Sequence, residues 1–381
     1  MNLQRTVQTM NYLLEVMKII EGGMKRDQEK VRNYSKLLSE KLKKDGDVKS
    51  AERIERILLD PKIPTFSVTS LQNISRVPFD QESRLSTADI LYPNQITAEV
   101  ILSEENQNII SKFIEYIINS DKILAAGIDL PNSLLLYGPP GCGKTEIAKF
   151  IAKRIELPLV IARLDAMVSS YLGSTSKNIR HLFDYVKANP CVLFLDEFDA
   201  IAKMRDDGQE LGELKRVVNS LLQNIDNLGT GTIFIAATNH EHLLDPAVWR
   251  RFTFKLKIQK PSADMRQFLV KKFIDGRYDF KKKELILVSE AMEGLSGAEI
   301  EQICKDAIRE GIIQDRPLTF QTICKKIMEQ LSMRNEIPLQ NKELFAKYFK
   351  TLNPDFFSYS AIGRILGVSK PTVCRYINKE E

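Results

Sequence analysis

The 381-residue chain has five cysteines, an odd number, and none of them pair in a CxxC spacing. Cys142, Cys191, Cys304, Cys324 and Cys374 are scattered, which argues against a disulfide framework or a cysteine zinc knuckle and predicts a reducing, cytoplasmic home. The three histidines, His181, His240 and His242, stand in no ligand pattern, so no metal role is expected of them. No apolar run approaches bilayer length, and the stretch from Leu13 to Ile20 is broken by Glu15 and Lys18. Neither a membrane helix nor a signal-peptide core is therefore expected. Internal repeats and low-complexity tracts are missing as well. Charge of one sign is scarce: 55 basic residues oppose 50 acidic ones, a formal +5, so any basic surface must be local. What the chain does have is 43% hydrophobic and 28% charged residues, a balance that suits a globular protein and excludes a mainly disordered one. Its length corresponds to about two and a half average domains.

Residues 1–60 carry three apolar sets at helical spacing: Leu13, Met17 and Ile20; then Val31, Tyr34, Leu38 and Leu42; then Ala51, Ile54 and Leu58. They predict a small helical domain punctuated at Gly22-Gly23 and Asp45-Gly46, with its dense charges on a solvated face. Prolines 61, 64, 78 and 93 mark residues 61–97 as a linker or irregular segment. Residues 98–260 alternate short apolar runs with amphipathic helices, the clearest strands being Leu134–Tyr137, Leu159–Ala162, Val192–Leu195 and Thr232–Ala236. This is the pattern of an α/β domain with a parallel sheet. Residues 261–333 read as a helical lid, with Met265, Phe268 and Leu269 in one stripe and Ile300, Ile303, Ala307 and Ile308 in another. Three more helical patterns fill residues 334–381.

The first strand runs into Gly138-Pro139-Pro140-Gly141-Cys142-Gly143-Lys144-Thr145, which fits G-x-x-x-x-G-K-[ST] between a strand and a helix. Glycines let backbone N–H groups turn inward onto phosphate oxygens. The helix N-terminus favours the anion, Lys144 adds charge, and Thr145 offers a hydroxyl to magnesium. Val192–Leu195 is followed by Asp196-Glu197, two carboxylates at the C-terminal edge of a buried strand. Asp196 is suited to help hold Mg2+ and Glu197 to polarise a water. The strand through Ala237 ends at Thr238-Asn239, an amide placed to orient that water.

Taken in order with Asp245-Pro246-Ala247-Val248-Trp249-Arg250-Arg251-Phe252, these motifs resemble the AAA+ ATPase core over residues 98–330. The resemblance implies a P-loop NTPase domain with a parallel sheet and helical lid, binding ATP and Mg2+ between neighbouring subunits of a ring, commonly a hexamer. It implies that Asp196 and Glu197 are the Walker B pair, Asn239 is sensor 1, and Arg250 and Arg251 are fingers reaching a neighbour's γ-phosphate. Gly294-Leu295-Ser296-Gly297-Ala298-Glu299 resembles the protein-remodelling branch, which has Gly-Ala where initiators and clamp loaders usually carry a sensor 2 arginine. Ser170-Tyr171-Leu172-Gly173-Ser174 is similar to the pore loop of AAA unfoldases, which implies that Tyr171 and Leu172 grip polypeptide; a loop aromatic tucked into the core is the alternative. The helical N-terminal region, especially 46–53, also looks like that of bacterial AAA ATPases often encoded beside subtilisin-like proteases, which implies such a partner.

Residues 359–377 resemble a helix-turn-helix, with Ile362, Leu366, Val368, Val373 and Ile377 as its core, Gly367 as the tight turn and Ser369 as the second helix's cap. Lys370, Thr372 and Arg375 would then project outward as DNA contacts. Such units dock proteins as readily as DNA, so both partners stay open. The tail reads as a detachable module, and Lys281-Lys282-Lys283 as a solvated turn.

Overall fold

The computed structural model describes residues 12–25, 27–59, 86–163, 172–198, 213–228, 232–244 and 246–378. Three N-terminal helices come first: α1 (Leu13–Met24), α2 (Gln28–Lys44) and α3 (Val48–Leu59). Two expectations fail in α1 and α2. Gly22 lies inside the helix rather than ending it, and the charges are not all solvated: Glu15, Lys18 and Lys30 are buried, while Met17, Ile20 and Met24 are exposed. The physical reason is ion pairing. Lys41 meets Glu15 at 2.7 Å, and Glu21 collects Lys30 at 2.9 Å and Lys18 at 3.5 Å, so each buried charge is compensated. Burial alone would raise the Glu21 pKa, but hydrogen bonds from Lys25 and Lys30 hold it down at about 2.

Six strands form one sheet: β1 (Ala88–Leu91), β2 (Ser133–Tyr137), β3 (Leu159–Ala162), β4 (Val192–Leu195), β5 (Ile233–Thr238) and β6 (Phe254–Lys257), in the order β1-β3-β4-β5-β2-β6. β1 runs antiparallel to β3, and every other pair is parallel. The two innermost strands, β4 and β5, are buried at every residue, which is why they read as unbroken apolar runs rather than alternating ones. β1 falls within the stretch expected to be linker or irregular, and it pairs Ala88 with Ala162 at the sheet's edge. Helices α4 (Glu104–Ile118), α5 (Ser120–Ala125), α6 (Lys144–Arg154), α7 (Leu172–Ala188), α8 (Glu213–Asp226) and α9 (Pro246–Trp249) connect the strands. Leu182, Phe183 and Val186 of α7 join Leu193, Leu195, Phe234 and Ala236 of the sheet in one apolar core. Each of the larger side chains contributes about 1.5–3 kcal/mol on burial.

The N-terminal helices are fastened to this domain by polar contacts. The Asp121 carboxylate of α5 accepts from the backbone N–H groups of Tyr12 and Leu14, each at 3.0 Å, satisfying donors at the start of α1. Asn33 of α2 donates to the Asn189 side chain at 2.9 Å, just beyond α7, and Lys44 pairs with Glu156, just beyond α6.

The described chain divides into two compact units, Met1–Gly138 with Lys144–Ile258, and Pro139–Gly143 with Gln259–Glu381. The second contains α10 (Ala263–Ile274), α11 (Lys282–Ala291), α12 (Gly297–Ile313), α13 (Phe320–Asn335), α14 (Lys342–Leu352), α15 (Tyr359–Leu366) and α16 (Lys370–Ile377). In α10 the inward stripe is Arg266, Val270 and Ile274, and the expected Phe268 points out. Arg266 is buried because its guanidinium donates to the Ser289 carbonyl at 2.6 Å and the Pro261 carbonyl at 3.2 Å. The tail, expected to be a detachable module, packs into the lid. Phe345, Phe349, Phe357, Ile362 and Leu366 share one core with Ile303, Ile323 and Ile327 of the preceding helices. Arg364, in α15, pairs with Glu284 of α11 at 2.8 Å and lies over the Phe320 ring. No helix among the described residues is long and apolar enough to cross a membrane.

Candidate active site

The phosphate loop leaves the C-terminal end of β2 between two parallel neighbours, β5 and β6. Gly138 has φ 137°, and a Cβ built there would lie 2.0 Å from the Ile258 carbonyl oxygen. Only glycine fits, because the backbone of the residue after β6 occupies the side-chain position. Lys144 is buried and donates from Nζ to the Gly138 carbonyl at 2.7 Å, so the ammonium is folded back across the loop's own entrance. Thr145 donates its hydroxyl to an Asp196 oxygen at 2.8 Å, joining the first turn of α6 to the end of β4. A hydroxyl and a carboxylate side by side are hard oxygen donors of the kind Mg2+ selects, so the residues present fit the metal the motif calls for. Cys142 is partly exposed, its thiol 3.7 Å from the Pro140 carbonyl.

Glu197 is exposed and adopts φ 51°, a left-handed backbone that costs a non-glycine residue about 1–3 kcal/mol. Its N–H donates to the other Asp196 oxygen at 2.9 Å, which turns the two carboxylates apart: Asp196 toward Thr145, Glu197 into solvent. Thr238 ends β5 buried, with its hydroxyl accepting from the His240 N–H at 3.0 Å, and Asn239 between them is half-buried.

The arginine pair sits between two anchored aromatics. Trp249 meets Tyr137 edge to face at 5.1 Å, and Phe252 stacks on Phe234 at 5.4 Å. The two arginines are not equivalent. Arg251 is held by both oxygens of Asp226, at 2.7 and 2.9 Å, and donates to the Ala247 carbonyl at 2.8 Å. Arg250 is exposed. Asp226, at the end of α8, is a partner of Arg251 that the sequence reading missed; it lies 25 residues from Arg251 and belongs to no motif.

In the second unit, Ser296 caps α12 by accepting from the Glu299 N–H at 3.3 Å, and Glu299 returns the bond to the Ser296 N–H at 2.6 Å. The next two residues are the Gly297-Ala298 pair. Ala298 donates its N–H to the Gly141 carbonyl at 3.0 Å, so the small residues of the lid motif lie directly on the middle of the phosphate loop. Tyr171 lies outside the described residues, as does the side chain of Leu172, which opens α7. At the tail, Gly367 takes φ 64° to end α15, and the Ser369 hydroxyl accepts from the Thr372 N–H at 3.4 Å to begin α16. Lys370 and Arg375 are exposed there, and Thr372 shares a 2.8 Å hydrogen bond with Ser369.

A separate cavity of about 480 Å³ lies between α4 and α6, lined by apolar residues including Ile110, Ile114 and Phe150; no residue of the phosphate loop lines it.

Residues 134–260 match the family model described as ATPase family associated with various cellular activities (AAA). Over 303 residues the chain is 36% identical to an uncharacterized AAA family ATPase, y4kL, of Sinorhizobium fredii, covering 79% of this chain and 90% of that one. The chain belongs to the AAA ATPase family. As such it hydrolyses ATP, with Mg2+. This AAA ATPase is also 30% identical over 292 residues to proteasome-activating nucleotidase 1 of Haloferax volcanii, covering 73% of this chain and 72% of that one. It is 29% identical over 285 residues to the ATP-dependent zinc metalloprotease FtsH of Caldicellulosiruptor bescii, of whose length it spans about half, 46%. In fold it resembles the FIGL-1 AAA domain in complex with ADP, with TM-score 0.53 and 24% identity over 68% of this chain and 93% of that one.

Proposed function

We propose that this AAA ATPase assembles into a ring, with six subunits, and uses hydrolysis to remodel or unfold a protein, or to activate a partner effector such as a subtilisin-like protease. Within each subunit, Lys144 and the phosphate-loop N–H groups bind the triphosphate, and Glu197, turned into solvent, takes a proton from the attacking water that Asn239 orients. Thr145 and Asp196 would hold Mg2+, which when bound neutralises charge on the phosphate oxygens. The observation that carries the ring is the inequivalence of the arginines. Arg251 is committed to Asp226 within its own chain, whereas Arg250 is exposed on a turn pinned by Trp249 and Phe252, the arrangement suited to a group that acts on a neighbour's γ-phosphate. Arg251 then sets the turn's geometry. The relatives named for proteasome activation and ATP-dependent proteolysis support a protein as the substrate, and Tyr171 with Leu172 are the residues proposed to grip it.

Mixed rings test this reading. Lys144→Ala removes nucleotide binding and Arg250→Ala removes the donated charge; mixing the two inactive proteins restores part of the activity, because some interfaces then combine an intact site with an intact arginine. Strictly additive inactivity in rings shown to mix would refute action in trans. A second reading, a DNA-associated switch, is favoured by the exposure of Lys370 and Arg375 on α16. ATPase activity that rises with an unfolded protein and not with double-stranded DNA supports the first reading; the reverse supports the second.

A further inference from the structure

α1 is built inside out. Its polar stripe, Glu15 and Lys18, is 1% and 7% exposed, whereas Met17, Ile20 and Met24 are 45%, 59% and 83% exposed. The helix cannot roll to correct this. Glu15 is tied to Lys41, and Gly22 seats so closely on α2 that an added Cβ would lie 2.9 Å from the Val31 side chain and 3.1 Å from its backbone N. The outward residues, with half-buried Leu13, stand at 13, 17, 20 and 24. Steps of four, three and four are the spacing of a two-stranded coiled-coil seam, whose far side is here turned onto α2.

We infer that this stripe is a self-association seam, in which α1 of one copy pairs with α1 of a second copy of this chain. The residues flanking the seam argue for a like partner. Leu14, Val16 and Gly23 are uncharged, and Glu21 is neutralised within its own chain by Lys25 and Lys30, so two copies meet without like-charge repulsion, and neither an acidic nor a basic partner is selected. The size of the seam sets when it forms. Three helical turns bury far less than the roughly 800 Å² per partner of a stable interface, so the pair closes only between copies that the ATPase domains already hold side by side. The seam thus rests on the ring reading and adds to it: it ties N-terminal regions together in twos.

The test uses the full chain with ATP. Ile20→Cys, mildly oxidised, is expected to give a disulfide-linked dimer several-fold in excess of both the unsubstituted chain, whose Cys142 and Cys374 supply the background, and Glu40→Cys, an exposed control on α2. Ile20→Lys is expected to raise the protein concentration needed for assembly about five- to tenfold while leaving the thermal midpoint of the dispersed chain unchanged. Equal cross-linking at positions 20 and 40, or unaltered assembly of Ile20→Lys, overturns the seam. A chain that stays monomeric with ATP in sedimentation refutes the ring and the seam with it; a chain that forms rings in which Ile20→Cys stays unlinked refutes the seam alone. If Ile20→Lys assembles normally but loses stimulation by protein, the face docks substrate and self-pairing is wrong.

Discussion

The N-terminal helices α1–α3 and the C-terminal helices α14–α16 are both three-helix sets and differ in construction. The C-terminal set turns its phenyl rings inward: Phe345, Phe349 and Phe357 are fully buried, with Phe349 5.3 Å from Phe357, in a core continuous with the lid. The N-terminal set buries Glu15, Lys18 and Lys30 and leaves methionines and an isoleucine in water. Apolar packing is strong and tolerant of angle. Ion pairs contribute little net stability because desolvation offsets their attraction, yet they work in only one register. The two ends therefore divide the labour: one is welded into the lid, and the other is oriented so that a chosen face points outward.

Breaking each end in its own currency separates them. Phe349→Ala should cost the second unit about 3–5 kcal/mol, read as a lower denaturant midpoint, because it empties a ring-sized space in a shared core. If Phe349→Ala left the lid's midpoint unchanged, the tail would be separable after all. At the N-terminus the effect should be smaller and depend on which partner is lost. Lys41→Ala leaves the Glu15 carboxylate buried without its cation and should cost about 1–3 kcal/mol, whereas Glu15→Leu, which removes the buried charge and fills its space, should be neutral or stabilising. Equal losses from both substitutions would mean that α1 is held by packing rather than by pairing. The smallest effect is the pH response of Glu21. Its folded pKa is depressed to about 2 from 4.5, so its contribution is complete above the unfolded value and fades as pH falls from about 4.5 toward 2. Amide exchange in α1 should accelerate across that window more than in α15 or α16; a flat response would detach Glu21 from the stability of the hairpin.

The sheet and the phosphate loop were legible because each is local: a four-residue apolar run, a glycine turn, a lysine and a threonine lie within one stretch of chain. β1 and β6 were not, since both are short and half-exposed, and β6 alternates Phe254, Lys255, Leu256, Lys257 as a solvated edge does. In α1 the apolar period was plain, but period alone does not say which face turns inward, and the ion pairs that decide it join residues 26 positions apart, Glu15 and Lys41. The two arginines look alike in sequence; Asp226 tells them apart, and only folding brings it to Arg251. The lid and the tail each showed helical stripes, but that their cores merge rests on Phe345, Phe349 and Phe357 packing with Ile303, Ile323 and Ile327, contacts distant in sequence.

Gly138 is read first as part of the nucleotide site, yet what forbids a side chain there is a neighbouring strand's backbone. The pressure comes from Ile258, whose N–H is bonded to the Tyr137 carbonyl at 2.7 Å while its own carbonyl fills the space beside Gly138. Any larger residue at 138 must prise β6 from β2, and would do so in a protein that never meets ATP. Position 138 is masonry, and a library randomised there should return glycine even when it is selected for folding alone.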